Sequence, residues 1–214
     1  KHWTNAMRGE RGGQRQLMQA LSEGKIKLSH FGGMRGNPNV GDQMSDFFPV
    51  VITSGYPALL RHMNQVVETT KLPLEQQDAK MRELEKEIPR SSLITRLLAP
   101  AINKVNWAHL RDQALLRSAQ VAVAAERFRI KHERWPQSLT ELVKAGLIAE
   151  APTDPYDGAE LRWRRFADGM AAYGVGIDKT DDGGNINIHR AHEKGFDVGF
   201  KLWDVNRRRQ AARP

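Results

Sequence analysis

A short acidic segment in the last quarter of the chain has the residue types of a calcium-binding loop. Starting from Asp178, oxygen-bearing side chains occupy positions one, three and five and a glycine occupies position six, as in an EF-hand loop. These residues are Asp178, Thr180, Asp182 and Gly183. Position twelve, which is a bidentate glutamate in an EF-hand, is His189. The segment is therefore not an EF-hand, and the competing interpretation is a turn whose Asp side chains bind their own backbone.

Other patterns that could support catalysis are weak. His189, His192 and Glu193 lie close together, but zinc hydrolases require the order H-E-x-x-H on a helix, so a surface loop is favoured. The chain contains no G-x-S-x-G motif and no cysteine, which excludes thiolate nucleophiles, disulfides and cysteine zinc sites. A non-catalytic role is favoured, and a hydrolase with its site in residues 29–57 is the weaker alternative.

The chain of 214 residues is basic, with a formal net charge of +8. This charge is spread over both halves, whereas nucleic-acid-binding proteins usually concentrate it on one surface. Local clusters still support an alternative function, a nucleic-acid or polyanion-binding protein, because Trp163 and Phe166 alternate with arginines. The arginines of this alternative are Arg162, Arg164, Arg165, Arg207, Arg208 and Arg209. The competing interpretation is a solvated strand face and a basic tail.

The element expected to position these residues is a long amphipathic helix. Apolar or small residues recur at spacings of three and four from Leu110 to Phe128, which places them on one helix face. Pro136 cannot continue a helix, so the helix is predicted to end within 132–134. A capping box of Ser138 and Glu141 then predicts a short helix up to residue 145.

Turns and strands are predicted after the short helix. The run 152–158 contains two prolines and an Asp-Gly pair, which are turn residues. Apolar and basic residues alternate over 161–166, and Ala-Asp-Gly at 167–169 predicts a hairpin into a second strand. Trp203 is expected to attach the chain end to the sheet.

The first hundred residues are predicted to be helical, with a long loop at 29–57. An apolar patch at 47–52 is expected to be buried, and Pro57 suits the first turn of the next helix. The predicted helices cover residues 7–28 with an end at Gly24, 58–71, 74–88 and 93–98, and the long helix is predicted to start at Pro100. The expected domains are a helical region over 1–100, an α+β module over 101–206 and a basic tail over 207–214. The predicted fold class is thus α+β, a helical region followed by a long helix on a small antiparallel sheet.

The run 119–198 resembles the C-terminal module of the major pseudopilin of type II secretion, the G-type pseudopilin. In that family a helix ends in Tyr-x-x-x-x-Gly-x-(Tyr/Trp)-Pro, which residues 128–136 match in part. A Pro-x-Asp-Pro-(Trp/Tyr)-Gly turn follows, matched by 152–158 with one extra residue, and then a strand ending in Tyr-Ser-x-Gly-x-Asp-Gly, matched by 173–179. The chain also resembles a broader set of uncharacterised bacterial proteins that carry this module behind a helical region and end in Gly-Phe-x-Leu-Trp-Asp, here 199–204.

The resemblance implies a pseudopilin-like fold, a calcium ion and a non-catalytic function. Asp178 and Asp197 correspond to the calcium-binding carboxylates of the family, with Asp181 or Asp182 as substitutes. The implied function is a structural or interaction protein of the bacterial cell envelope with a protein partner. Pseudopilins carry an apolar N-terminal helix, and no run here reaches the eighteen or so apolar residues of a membrane span. A membrane anchor is therefore expected upstream of Lys1.

Overall fold

The computed structural model describes residues 2–23, 25 and 48–208 and divides the chain into two compact units, Lys1–Lys104 and Val105–Pro214. The described part of the first unit is helical. The second unit contains most of a long helix, a short helix and a three-stranded antiparallel sheet. The long helix packs on the sheet, so the predicted α+β fold is confirmed. Within the described residues, no helix has both the length and the apolar character needed to cross a bilayer.

Three helices and one helical turn, together with Ile94 of the long helix, form the described core of the first unit. They are α1 (His2–Ser22), α2 (Phe48–Thr69), α3 (Leu74–Glu87) and the 3₁₀ turn Ile88–Arg90. Helix α2 packs against both α1 and α3. The buried cluster consists of methionine and aliphatic side chains: Met7, Met18, Leu59, Met63, Val66, Val67, Met81, Leu84 and Ile94. Methionine suits such a core because its flexible side chain fills irregular gaps between helices.

The predicted start of the second helix is wrong. Helix α2 begins at Phe48, ten residues before the predicted start, and Pro57 lies inside it. A proline inside a helix removes one backbone hydrogen bond. The complete burial of Leu59, Met63 and Val66 explains why the helix continues despite this loss. At Gly55, helix α2 lies close to the segment around Ser92. The Ser92 hydroxyl donates a hydrogen bond to the carbonyl oxygen of Gly55 over 3.0 Å.

Helix α1 begins earlier than predicted, at His2, and continues through Gly9, Gly12 and Gly13. Its described residues end at Ser22, so the predicted stop at Gly24 lies outside the described part, as does the predicted loop over 29–47. The loop prediction is wrong for residues 48–57, which are helical. The side chains of the apolar patch at 47–52 lie outside the described part of the structure.

A single helix of 40 residues, α4 (Leu93–His132), replaces the two helices that Pro100 was expected to separate. Ser92 begins it, since its hydroxyl oxygen accepts from the backbone N–H of Thr95 over 3.4 Å. Proline costs one backbone hydrogen bond in the helix interior, and α4 continues through Pro100 despite this cost. The predicted break between 98 and 100 is therefore wrong, because the tertiary packing overrides the local signal.

The end of α4 and the short helix after it are as predicted. Glu133 has a φ of 56°, a left-handed conformation that ends the helix, and Pro136 follows. Helix α5 (Leu139–Lys144) begins at Ser138, whose hydroxyl accepts from the N–H of Glu141 over 3.3 Å. The Glu141 carboxylate in turn accepts from the N–H of residue 137 over 2.7 Å. This is the reciprocal bonding of a capping box, displaced by one residue.

The sheet contains β1 (Arg162–Phe166), β2 (Gly169–Gly174) and β3 (Val198–Trp203) in that order, and all neighbours are antiparallel. The predicted hairpin is confirmed by the pairing of β1 with β2. The helix-facing side of the sheet carries Trp163, Met170, Ala172 and Leu202, which pack with one face of α4. The residues of α4 in this cluster are Val121, Ala124, Ala125 and Phe128.

The end of the described chain is attached by Asp204. Its carboxylate accepts from Trp135 Nε1 over 2.6 Å and forms an ion pair with Arg165 over 3.1 Å. Trp203 was expected to make this attachment, but its side chain is 45% exposed. Trp135, which follows α4, is thereby fixed to the residue that follows β3.

Candidate functional site

The most elaborate polar site of the second unit is the connection between β2 and β3, residues 175–197. Its centre is Asp197, which is completely buried. One Asp197 carboxylate oxygen accepts from the N–H of Asp182 over 3.3 Å. The other accepts from Gly184 over 2.7 Å and from Asn185 over 3.2 Å. Three backbone amides thus converge on one carboxylate, and we call this arrangement the Asp197 anchor.

Burial raises the pKa of Asp197, because removal from water disfavours the charged form. The N–H groups of Gly184 and Asp182 act in the opposite direction, and the nearby carboxylates of Asp181 and Asp182 raise the pKa further. The anchor therefore carries an electrostatic cost, since burial disfavours the charged carboxylate. Its backbone hydrogen bonds offset part of that cost.

The other aspartates of the predicted calcium loop also bind the protein itself. Asp178 accepts from the N–H of Thr180 over 3.2 Å and from that of Gly195 over 2.8 Å. Asp181 accepts from the Tyr173 hydroxyl over 3.1 Å and from the N–H of Gly183 over 2.9 Å. Asx-type bonding of this kind was the competing interpretation of the acidic segment.

The four predicted calcium ligands, Asp178, Asp181, Asp182 and Asp197, all lie in this one connection. Among the described residues, no group of three or more His, Cys, Asp or Glu side chains is placed to hold a metal ion. Calcium requires six to eight oxygen ligands, and the carboxylates of Asp178, Asp181 and Asp197 already accept amide or hydroxyl protons. One oxygen of Asp182 is buried without a hydrogen-bond partner among the described groups. Calcium binding by these residues stays a prediction.

Tyr173 offers a spectroscopic test of the loop. Burial and the hydrogen bond to Asp181 raise its pKa from 10.0 to about 12. Because the pKa is raised, the protonated Tyr173 hydroxyl contributes fully to the stability of the folded state below pH 10.0. This contribution is lost as the pH rises through about 12. We expect alkaline titration followed by tyrosinate absorbance to contain one late component, and Tyr173→Phe to lack it. A Tyr173→Phe protein that retained the late component would assign that component to another tyrosine and contradict the raised pKa of Tyr173.

A second buried carboxylate joins the predicted turn at 152–158 to the sheet. Asp154 is completely buried and accepts from the N–H of Tyr156 over 2.9 Å and from that of Val175 over 2.8 Å. Arg162 donates to it over 2.9 Å and also pairs with Asp157. Burial raises the pKa of Asp154, with the two amides acting against the increase. Sequence reasoning assigned Asp154 only to the turn; its role in fixing the end of β2 was missed, because Val175 is distant in sequence.

The arginines of the nucleic-acid alternative are not collected on one surface. Strand alternation places Arg162 and Arg164 on the sheet face opposite α4 and Arg165 on the other. Arg162 and Arg165 pair with aspartates, and Arg164 donates to the carbonyl of Gly183 over 3.0 Å. Arg208 binds Glu126 and Arg207 is exposed, while Arg209 lies outside the described residues. Most of this charge is therefore engaged within the protein.

Both histidines of the rejected zinc pattern are exposed. His189 and His192 lie in the 175–197 connection, and His192 is 3.9 Å from Glu193. This placement agrees with the surface loop favoured by the sequence.

A cleft of ≈ 260 Å³ lies in the first unit and bears on the hydrolase alternative. It is lined by Ala58, Arg61, His62, Gln65, Glu87, Ile88, Arg90, Ser91 and Thr95. Burial lowers the pKa of His62, and its Nε2 is buried without a hydrogen-bond partner among the described groups. None of these lining residues belongs to the segment 29–57, in which the hydrolase site was predicted. The cleft therefore gives that prediction no support.

Comparison with known proteins identifies no relative. No protein-family model, no curated protein and no solved structure matches the chain. Its function must therefore be inferred from its own residues.

Proposed function

We propose that this chain is a non-catalytic structural or interaction protein whose second unit is a pseudopilin-like module. The observation that supports the proposal is the placement of the motifs that carry the resemblance. These motifs lie where one element of the helix-on-sheet unit connects to the next: the helix stop after Phe128, the Asp154 turn and the strand end at Tyr173. The order of these motifs would follow from this architecture, because each connection fixes the direction of the next element.

The polar groups of the second unit support a structural function more than a catalytic one. Asp154 and Asp197 are completely buried and accept backbone amides, and Asp204 holds an indole and a guanidinium. A general acid or base needs a proton-transfer partner on a substrate, and a fully buried carboxylate saturated with amide donors offers none. These groups stabilise connections between elements.

The proposed location is the cell envelope. The full gene product, tagged at its C-terminus, can be fractionated in its native host together with marker proteins for each compartment. We expect it in the envelope fraction, with the tag cleaved by protease added to spheroplasts. Recovery with cytoplasmic markers and protection from protease would contradict the proposal.

Calcium would serve this function by crosslinking the 175–197 connection through carboxylate oxygens of Asp178, Asp181, Asp182 and Asp197. A ligand that binds the folded form alone stabilises it by about 2.7 kcal/mol at a hundred times its Kd. We expect calcium to raise Tm relative to chelator, and magnesium, which prefers rigid octahedral sites, to have a smaller effect. Asp182→Asn should remove the calcium shift. Equal melting in calcium and in chelator would exclude a calcium site in this connection.

A further inference from the structure

Helix α4 carries a second apolar stripe that faces away from the sheet. Four large side chains of this helix are exposed in the second unit: Val105 (44%), Leu116 (55%), Val123 (62%) and Ile130 (70%). At 3.6 residues per turn these four positions fall within about 40° of one another around the helix axis. The stripe is about 38 Å long at 1.5 Å per residue. A row of this length differs from the scattered single apolar residues of ordinary surfaces.

The opposite side of the same helix is already occupied. Val121, Ala125 and Phe128 are buried against the sheet and the short helix. Helix α4 is thus apolar on two sides in this unit, and a helix that is apolar on two sides is expected to have a partner on each. Leu116, Val123 and Ile130 follow a seven-residue repeat, the spacing at which one helix packs along another.

The stripes of two copies of the chain are complementary when their α4 helices run antiparallel. Leu116 and Val123 lie at equal distances on either side of the midpoint between Ala119 and Gln120. Asp112 and Arg127 also lie at equal distances from that midpoint, and both are exposed. In an antiparallel pair, Leu116 of one copy is level with Val123 of the other, and Asp112 is level with Arg127. A parallel pair would instead place each charge level with its own like charge, which is unfavourable.

We propose that the exposed stripe of α4 is a homodimer interface in which two copies pack antiparallel about the midpoint at residues 119 and 120. The small side chain of Ala119 at the centre allows close approach of the two helices. Two symmetry-related pairs of Asp112 with Arg127 set the direction and the register. This self-association depends on α4 alone, so it stands or fails independently of the pseudopilin-like assignment.

Mass measurement by sedimentation equilibrium over a wide range of protein concentration tests the interface. We expect the unaltered chain to form a reversible dimer and Leu116→Glu to remain monomeric with an unchanged circular dichroism spectrum. Ile188→Glu is the matched control, because Ile188 is equally exposed at 58% but lies outside α4. A monomer at all concentrations would overturn the proposal, as would a dimer that Leu116→Glu leaves intact. A monomer whose Tm falls on Leu116→Glu would mean that the stripe is covered within one chain.

Charge reversal tests the direction. Asp112→Arg alone and Arg127→Asp alone should each weaken the dimer by about tenfold, because each disturbs two equivalent ion pairs at the interface. The double variant restores both pairs and should return the dissociation constant to near that of the unaltered chain. Additive weakening in the double variant would overturn the antiparallel arrangement.

The absence of cysteine from the chain permits a direct check by disulfide formation. In the antiparallel dimer, residue 120 of one copy is about 1.5 Å along the axis from residue 120 of the other, whereas the two copies of residue 130 are about 31 Å apart. We expect Gln120→Cys to form a covalent dimer under mild oxidation and Ile130→Cys to stay monomeric. Crosslinking of both variants would indicate a parallel dimer and overturn the proposal, and so would crosslinking of neither.

Discussion

Asp154→Ala is expected to lower the free energy of unfolding of the second unit by about 3 kcal/mol. The substitution removes the acceptor of the Tyr156 and Val175 amides, which lie in a buried place and have bonds of 2.9 and 2.8 Å to this carboxylate. It also removes one partner of Arg162, which keeps Asp157. Urea unfolding followed by tryptophan fluorescence measures the loss, since Trp135 and Trp163 both lie in this unit.

The pH dependence of this loss identifies its cause. The pKa of Asp154 is raised above its ordinary value of 3.8, mainly by burial. A raised pKa stabilises the folded state most below the unfolded pKa, and this contribution falls as the pH rises through the folded pKa. The difference between the unaltered chain and Asp154→Ala should therefore be largest below pH 3.8 and decrease toward neutral pH. A difference that increased with pH would mean that the ion pair with Arg162, and not burial, dominates.

Asp154→Asn is the matched variant for the geometry. Asparagine keeps the shape of the side chain but replaces one acceptor oxygen by an amino group, which would face either the Tyr156 or the Val175 N–H. It should therefore destabilise the unit by about 2 kcal/mol although the buried charge is gone. A neutral or stabilising effect would show that the carboxylate is present at a net cost.

Gly199→Ala is expected to cost about 3 kcal/mol and to disrupt the pairing of β2 with β3. A Cβ at this position would lie 2.2 Å from the carbonyl oxygen of Ala172 and 2.6 Å from Cα of Tyr173. Both neighbours are backbone atoms of the central strand, so the added methyl group can be accommodated only if one strand moves. Thermal unfolding and hydrogen exchange of the β2 amides measure the effect.

Gly195→Ala separates this steric effect from the general cost of losing a glycine. Gly195 has a φ of 80°, and a Cβ there would meet no atom within 4 Å. Its replacement should cost only the backbone strain of a left-handed alanine, about 1 kcal/mol. Equal losses for Gly195→Ala and Gly199→Ala would contradict the close approach of β3 to β2.

Local signals predicted the second unit well because its boundaries depend on neighbouring residues. The Ser138 cap, the Pro136 stop and the hairpin at 167–169 each follow from residues within a few positions. The third strand was not assigned, although its apolar residues Val198, Phe200 and Leu202 alternate. Its pairing depends on β2, 24 or more residues earlier in the chain, and no short pattern specifies that partner.

The helix boundaries of the first unit failed for the opposite reason. Pro57 and Pro100 are local breaking signals, yet α2 and α4 continue through them. Burial of Leu59 and Met63 outweighs one missing hydrogen bond, and a sequence pattern does not show how much burial a position gains. The same limit applies to the predicted calcium loop. The acidic residues were evident from the sequence, whereas the amides that converge on Asp197 follow only from the folded loop.

The Asp197 anchor fixes the base of its connection, and part of the outer segment is exposed. Asn185 is bound at the base through its N–H to Asp197 and through its side-chain amide to the carbonyl of Gly195, over 2.7 Å. Residues 187–190 are exposed, and they lie between Asn185 and Gly195, which are held together at the base. A foreign peptide inserted there would have its ends held together by groups that it does not replace, so this outer part is a natural position for displaying an epitope or an affinity tag.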